Sequence, residues 1–458
     1  MVLTCVRTCC HHFRRNYYAG VSENSGNKPH RLSRYLLSAA KPVVHENSTI
    51  SFELLRQYGF MDVLFSGFNI MLPMCTRVIN KLVALIDREM EELGGQRTVF
   101  PSLGPVELLQ KSGKYDPHRK EFYNLEDRRN EKWYLAPTHE EIISHWISKE
   151  TITEKKLPLL LYQIGSKFRD EKRPRSGLLR SREFIMKDLY SFDADEGKAK
   201  ITYDLVNESY RRVFSKLELP IFKVRADPGN IGGILSHEYH LRTNSGEDKI
   251  LVCESCKEGF SEEYILTSNE KLDECISCGA KLKETLSLEL GHTFILGTRY
   301  SKPFNCIYTK FEGNRSFLEM GCYGLGVSRI MAACLEAFPA KRTLTWPKII
   351  APYLVCLITP KKGSKEERAG VQTLAEDLAS YLTSNYHLDL IIDDRRELTI
   401  GHRLFEGNCW GFPYILIAGK KAMQDIPIFE LIDTQTGTTK DLTHSQLCQF
   451  FATTRRFL

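Results

Sequence analysis

Hydrophobic residues between positions 76 and 93 recur at the spacing of one helix face. They stand three and four residues apart: Ile79, Val83, Ile86, Met90 and Leu93. This spacing predicts an amphipathic helix, and Gly94-Gly95 would end it.

Short strand-like and helical runs then alternate, with Gly and Pro in the turns between them. The pattern predicts strands at 97–101, 133–135, 159–164, 183–186, 291–296 and 318–322, and helices at 140–149, 201–217 and 327–337. Turn-rich connections of this kind favour antiparallel pairing.

A different alternation follows Trp346-Pro347 and Ala351-Pro352. Strands are predicted at 353–359, 388–392 and 414–418, with helices at 365–383 and 400–406 between them, which indicates a small α/β domain. The fold class expected is therefore α+β, with an antiparallel-sheet domain at 43–345 and an α/β domain at 350–458.

Composition agrees with two globular domains. The 458 residues are 42% hydrophobic and 26% charged, as in ordinary folded proteins. No run approaches the roughly 18 apolar residues of a membrane span, so no membrane partner is expected.

Most of the net charge of +6 belongs to the N-terminus. Residues 1–42 hold seven basic side chains and one acid, and the rest of the chain is neutral. An arginine-containing, almost acid-free start predicts a mitochondrial import segment without regular structure, although a basic tail of another purpose would look the same. A neutral body requires any nucleic-acid contact to come from local basic patches.

The densest charge lies in residues 168–192, FRDEKRPRSGLLRSREFIMKDLYSF. If two strands flank the loop at 174–177, their guanidinium groups can converge on phosphate and Phe184 offers a face for a base. A solvated charged hairpin is the alternative.

Two shorter segments add to this pattern. MGCYGLGVSRI at 320–330 predicts a strand, glycines and a helix with Arg329 in its first turn, which suits phosphate binding. THEE at 138–141 opens a helix, either as a cap or as a grip on a substrate ammonium.

Cysteine is clustered at one place. Two C-x2-C pairs, with 18 residues between them, match a tetrahedral structural zinc site formed by Cys253, Cys256, Cys275 and Cys278 within a module at 245–288. The alternative is four reduced thiols without metal.

Taken in order, these segments resemble the motifs of class II aminoacyl-tRNA synthetases, and specifically prolyl-tRNA synthetase of the bacterial and mitochondrial type. The resemblance covers roughly residues 50–455 and rests on FPSLGP (100–105), LAPTHEE (135–141), residues 168–188, SHEY (236–239), GHTFILGTRYS (291–301) and EMGCYGLGVSR (319–329). It implies ATP with Mg²⁺, L-proline and tRNA(Pro) as ligands, a homodimer with Pro101 at its interface, and a place in the mitochondrial matrix.

The resemblance also implies residue roles. Arg169 and Arg329 would be catalytic. The ATP site would hold Arg169, Glu171, Arg180, Phe184 and Arg329. The proline site would hold Thr138, Glu140, Arg169, His292, Phe294 and Cys322. The tRNA acceptor end would meet Arg173.

The α/β domain resembles the anticodon-binding domain of the prolyl, threonyl, glycyl and histidyl enzymes, chiefly through DDRRELTIGHR at 393–403. Arg395, Arg396 and Arg403 are the expected RNA contacts, although surface arginines would look alike. Bacterial relatives insert an editing domain between the second and third motifs, and residues 193–317 leave no room for it.

The expected activity is therefore ATP-dependent attachment of proline to tRNA through prolyl-adenylate. Two other functions remain open from sequence: an inactive, nucleic-acid-binding accessory protein, and another class II synthetase.

Overall fold

In the computed structural model of the chain, residues 29–37, 48–115, 121–268, 274–338 and 342–454 are described. Contacts divide the chain into two compact units. Of the described residues, the large unit comprises those between Leu36 and Pro352 together with Cys409–Gly411, and the small unit comprises 29–35, Tyr353–Asn408 and those from Phe412 to Thr454. None of the helices in the described ranges is long and apolar enough to cross a membrane.

The described part of the chain opens with a short strand, β1 (His30–Arg31). The strands of the large unit are β2 (Met61–Phe65), β3 (Phe68–Met71), β4 (Gln96–Arg97), β5 (Leu103–Pro105), β6 (Asn124–Glu126), β7 (Lys132–Leu135), β8 (Ile152–Thr153), β9 (Leu159–Phe168), β10 (Glu183–Asp193), β11 (Ile221–Arg225), β12 (Leu235–Arg242), β13 (Asp248–Cys253), β14 (Gly259–Ser261), β15 (Leu282–Gly297), β16 (Ile307–Thr309), β17 (Arg315–Phe317) and β18 (Glu319–Gly326). Its helices are α1 (Ile50–Gln57), α2 (Pro73–Glu92), α3 (Val106–Ser112), α4 (Glu140–Ile147), α5 (Glu196–Lys216), α6 (Glu262–Ser268), α7 (Ser301–Phe304) and α8 (Val327–Ala337).

One sheet organises the large unit. Among the described residues its strand order is β12-β11-β14-β13-β15-β18-β10-β9-β4. The central pairs β9–β10, β10–β18 and β15–β18 are antiparallel, as the sequence predicts. Because side chains alternate between the faces of a strand, this register decides which residues share a face. Phe294 lies opposite Cys322, and His292 lies opposite Gly324.

The small unit is a three-layer α/β fold. It contains β1, β19 (Val355–Ile358), β20 (Leu390–Asp393), β21 (Tyr414–Ile417), β22 (Ile428–Asp433), β23 (Thr438–Thr443), α9 (Lys365–Arg368), α10 (Val371–Tyr386), α11 (Ile400–Cys409) and α12 (His444–Thr454). The sheet order is β1-β20-β19-β21-β22-β23, parallel from β1 to β21 and antiparallel beyond it. The three central strands are buried throughout, as parallel strands covered on both faces must be.

Three sequence expectations differ from this structure. The lack of regular structure expected over residues 1–42 does not hold for residues 29–37, which contain β1 and a 3₁₀ turn. The rest of that segment lies outside the described residues. The helix expected at 365–383 is two helices, because Gly370 adopts a left-handed backbone with φ of 84°. The strand expected at 97–101 is only β4, and the residues after it leave the sheet.

Candidate active site

A cavity of about 610 Å³ lies over the central strands of the large unit. It is lined by all ten residues that the sequence assigns to ATP and proline: Thr138, Glu140, Arg169, Glu171, Arg180, Phe184, His292, Phe294, Cys322 and Arg329. The four segments that carry them are far apart in the sequence, and the sheet brings them together.

One end of the cavity is built around the buried carboxylate of Glu140. Its Oε1 accepts a hydrogen bond from the Cys322 thiol at 3.1 Å, and its Oε2 accepts one from the Thr138 hydroxyl. Phe294 and Cys322 supply apolar walls that are almost fully buried. This end therefore offers a small apolar space with one negative charge.

Lys114 keeps that carboxylate charged. Its Nζ lies 3.2 Å from Glu140 Oε2 and 3.1 Å from Glu141 Oε1. Burial alone would raise the pKa of Glu140, but Lys114 and the hydrogen bonds from Thr138 and Cys322 outweigh it and lower the pKa to about 2. For Glu141, burial and the neighbouring Glu140 charge outweigh the contact with Lys114, so its pKa is raised.

A buried polar network holds the THEE turn in place. His139 Nδ1 accepts from Lys167 Nζ at 3.0 Å, and its Nε2 donates to the Pro101 carbonyl at 2.9 Å. Burial and then the Lys167 charge lower the pKa of His139, which fits a neutral ring. Lys167 also pairs with Asp188 at 2.8 Å. The turn that presents Thr138 and Glu140 is thus fixed to β9, to β10 and to the FPSLGP segment.

Two carboxylates lie beside His292 and form a second acidic cluster. The Nδ1 atom of His292 lies 3.3 Å from Glu289 and 3.6 Å from Glu238. The His292 ring stacks on Phe294, with ring centroids 3.9 Å apart. Burial, then the charge of Glu289, raises the pKa of Glu238 to about 8. Burial would raise the pKa of Glu289 as well, but His292 and Arg329 hold it below its ordinary value. Ligand atoms of all three residues lie within 4.8 Å of one another.

The cationic end of the cavity contains Arg169 and Arg329. Arg169 follows the last residue of β9, is exposed in the cavity, and lies over the Phe184 ring at 5.1 Å from its centroid. Arg329, in the first turn of α8, donates to the carbonyls of Leu179 and Glu289 at 3.0 and 2.7 Å. Its remaining NH₂ group is left for a ligand, since neither bond uses it.

The loop between β9 and β10 is held by carboxylates. Arg180 Nε lies 2.9 Å from Glu171, and its guanidinium also reaches Glu247 at 2.7 Å. Arg175 pairs with the same Glu247 at 2.5 Å. Arg173 is exposed on this loop and lies outside the cavity lining.

The four cysteines form two matching turns. Lys257 N donates to Cys253 O, and Gly279 N donates to Cys275 O; Lys257 and Gly279 both have a left-handed backbone. The four sulfurs lie within 4.8 Å of one another, with Cys253–Cys278 at 3.5 Å and Cys256–Cys275 at 3.4 Å. Zn–S bonds of about 2.3 Å in a tetrahedron require sulfurs about 3.8 Å apart, so the donor set fits the ion.

The small unit contradicts one predicted RNA contact. Arg403 has no exposed surface, and it donates to the carbonyls of Thr359 and Asp393 at 2.6 and 3.0 Å. A buried guanidinium that satisfies two strand ends cannot reach an RNA base. Arg395 is mostly buried between Asp393 and Glu406, and Arg396 pairs with Glu367.

Sequence reasoning missed the partners of the site residues. The sequence analysis predicts no role for five of them: Lys114, His139, Glu238, Glu247 and Glu289. Glu238 lies in SHEY and His139 in THEE, so the motifs themselves contained that signal. Lys114 had none, because its partner is 26 residues away.

Comparison with known proteins places this geometry in a family. Residues 123–338 match the model of the tRNA synthetase class II core domain (G, H, P, S and T). The chain is 44% identical to a probable mitochondrial proline–tRNA ligase of Homo sapiens, over 85% of this chain and 82% of that one. It is 36% identical to a probable mitochondrial proline–tRNA ligase of Schizosaccharomyces pombe, over 87% and 92%.

A solved structure shares the fold. The prolyl-tRNA synthetase of Giardia lamblia in complex with prolyl-adenylate superposes with a TM-score of 0.72 at 20% identity, covering 86% of this chain and 74% of that one. The expected fold, a class II synthetase domain, is confirmed. The chain belongs to the proline–tRNA ligases, a family of class II aminoacyl-tRNA synthetases.

Proposed function

We infer that this protein is an active proline–tRNA ligase of the mitochondrion, which forms prolyl-adenylate from proline and ATP and transfers the prolyl group to tRNA(Pro). One observation carries the inference: the ten predicted substrate residues converge on a single cavity with a buried carboxylate at one end and the guanidinium groups of Arg169 and Arg329 at the other.

The residue roles follow from those two ends. The imino group of proline, positively charged, would donate to Glu140 and Thr138, while the ring would lie against Phe294, His292 and Cys322. The proline carboxylate would then face Arg169. Attack of that carboxylate on the α-phosphate builds negative charge, which Arg169 and Arg329 would stabilise as pyrophosphate leaves.

ATP would occupy the remaining part of the cavity. Phe184 would stack on adenine, and Glu171 would accept from its exocyclic amine. Arg180 and Arg329 would bind the outer phosphates, so Arg180 must exchange part of its contact with Glu171 and Glu247 for phosphate.

Class II synthetases use ATP with Mg²⁺, and this cavity has oxygen ligands for it. Glu238 and Glu289 would hold the ion, because hard divalent cations prefer carboxylate oxygen. When bound, Mg²⁺ neutralises phosphate charge.

Proline-dependent ATP–pyrophosphate exchange tests the function. We expect exchange with proline and much weaker exchange with the other amino acids, followed by charging of tRNA(Pro). Exchange with none of them would favour the inactive accessory protein, and exchange driven by another amino acid would favour another class II enzyme.

We also propose one structural zinc ion at Cys253, Cys256, Cys275 and Cys278. Two matching turns and a sulfur spacing near that of a zinc tetrathiolate support it. Because Cys253 ends β13 and pairs with Leu282 at the start of β15, the ion would fasten the far ends of two strands of the main sheet.

Elemental analysis of protein purified without added metal should give one zinc per chain. Cys256→Ser together with Cys278→Ser should remove the zinc and lower the melting temperature, while the matched control Cys448→Ser should keep it. Four freely titrating thiols and no zinc in the unsubstituted protein would exclude the site.

A homodimer is proposed on the surface near the FPSLGP segment. Val99, Leu103, Leu125 and Trp146 expose large apolar side chains there, and a second copy would cover them. Light scattering at working concentration should give twice the chain mass. A fully active monomer would contradict this proposal.

The matrix is the proposed location within the mitochondrion, because the tRNA must be charged where mitochondrial translation occurs. Protease protection in isolated mitochondria after removal of the outer membrane tests the location.

Three arginines remain proposed tRNA contacts. Arg173 is proposed for the acceptor end, and the outer edges of Arg395 and Arg396 are proposed for the anticodon.

A further inference from the structure

The first described segment of the chain is built into the small unit. β1 pairs in parallel with β20, with His30 beside Ile391 and Arg31 beside Ile392. The 3₁₀ turn that follows contains Leu32, which is completely buried. A segment whose only role is to target a protein to an organelle needs neither a buried leucine nor a strand in a sheet.

Polar side chains fasten the same segment. Arg31 makes two contacts with the Glu376 carboxylate of α10, at 3.1 and 3.4 Å. Ser33 donates from its amide and its hydroxyl to the two oxygens of Asp394, at 2.9 and 2.8 Å. Asp394 begins the loop with Arg395 and Arg396, so the segment also holds the start of that loop.

Without this segment, β20 would become the edge of the sheet. Its sequence, Leu390-Ile391-Ile392-Asp393, is buried at every position. An exposed apolar edge strand pairs readily with other chains and promotes aggregation. β1 supplies the missing partner, and it ends the sheet with a strand of only two residues that carries an arginine.

We propose that residues 29–35 remain in the mature protein, with β1 as the outer strand of the small unit, so that import processing cuts the chain N-terminal to Pro29. The import signal is then confined to residues 1–28, which hold Arg7, Arg14, Arg15 and Lys28 among their charges. Only the processing step rests on the proposed mitochondrial function; the strand itself does not.

Hydrogen exchange on the full-length protein tests the strand. Leu32→Asp puts a charge into a buried position, and we expect the peptide covering residues 388–394 to exchange at least about tenfold faster, because opening of β20 becomes easier. Leu36→Asp is the matched control, because the Leu36 side chain is 65% exposed. In that variant the peptide covering residues 388–394 should exchange at the original rate. Ser33→Ala is a milder variant, which should give a smaller increase in the same peptide if Leu32→Asp does not fold.

Import of the precursor into isolated mitochondria tests the processing. Mass spectrometry of the imported protein should find an N-terminus at or before Pro29. A mature N-terminus after Pro29, or exchange at 388–394 that neither Leu32→Asp nor Ser33→Ala changes, would overturn the proposal. Failure of import would count against the mitochondrial location and would leave the exchange result to decide on the strand.

Discussion

At the residue scale, two arginines reach the cavity from different elements. Arg169 extends from the end of β9 and Arg329 from the first turn of α8, where the helix dipole adds to its charge. Both guanidiniums keep surface that faces the cavity, whereas Arg403 has none. Exposure therefore separates arginines that can bind phosphate from those that support the fold.

Arg169→Ala and Arg329→Ala should each slow adenylate formation strongly without unfolding the protein. A charge-assisted contact made in the transition state is worth about 3 kcal/mol, which corresponds to a rate loss of about 150-fold. ATP–pyrophosphate exchange measures the loss, and Lys172→Ala, on the exposed part of the same loop, is the control. Near-normal exchange in either arginine variant would show that its role is wrong.

Lys114→Met should weaken proline binding in a pH-dependent way. With Lys114 present, the pKa of Glu140 is about 2, against an ordinary value of 4.5, so the carboxylate stays charged at every working pH. Without it, burial raises the pKa, and Glu140 takes up a proton as the pH falls. The KM for proline should therefore rise more at pH 6 than at pH 8, while Lys114→Arg should largely restore the original profile.

Lys114→Met should also lower the folding stability, by an amount that depends on pH. A carboxyl group with a lowered pKa stabilises the fold above its unfolded pKa, and that contribution disappears as the pH falls toward the folded value. Loss of one partner of a buried pair costs about 3 to 5 kcal/mol. The destabilisation by Lys114→Met should therefore be larger at pH 8 than at pH 5, because Glu140 of the variant takes up a proton over that range. An equal loss at both pH values in urea unfolding would contradict the assigned pairing.

At the element scale, Arg403 forms hydrogen bonds to the ends of two neighbouring strands of the small unit. It donates from α11 to Thr359 O, just beyond β19, and to Asp393 O at the end of β20. Without Arg403, Thr359 O would lose its donor, and a buried carbonyl without a partner costs about 1 to 3 kcal/mol, whereas Asp393 O would keep only the weaker bond from the Thr359 hydroxyl at 3.2 Å.

Arg403→Met should therefore lower the unfolding free energy of the small unit by about 2 to 4 kcal/mol, and proline-dependent exchange should persist. Arg396→Met, on a partly exposed side chain, is the matched control and should cost less than about 1 kcal/mol. Unchanged thermal unfolding of Arg403→Met, together with weaker tRNA binding, would return Arg403 to the RNA-binding surface.

Patterns within one element were the part of this structure that sequence could predict. The β15 and β18 strands and the alternation that brings Phe294 and Cys322 to one face follow from local periodicity, and the motifs identified the residues around them. Lys114, Arg403 and Leu32 were missed or misread for a common reason. Each takes its role from partners distant in the sequence, and a lysine, an arginine or a leucine looks the same whether its partner exists or not.

At the scale of the whole molecule, one sheet has to supply both the substrate cavity and the support for it. The described residues between β10 and β18 form α5, β11 to β17, α6 and α7, and most of these strands extend that sheet. The cysteine module is part of the same construction, because β13 pairs with β15, the strand that carries His292 and Phe294. The described residues in this interval therefore continue the main sheet.

We therefore predict that the protein does not hydrolyse alanyl-tRNA(Pro). A pocket shaped for the proline ring excludes a smaller side chain poorly, since each missing methylene contributes only about 1 to 3 kcal/mol to discrimination. Misactivated alanine should thus appear as alanyl-tRNA(Pro) and persist. Incubation of preformed alanyl-tRNA(Pro) with the protein should give the spontaneous rate of hydrolysis, and a bacterial prolyl enzyme with its insertion serves as the positive control. Hydrolysis well above the spontaneous rate would mean that the residues between β10 and β18 contain an editing site that their arrangement in the sheet does not suggest.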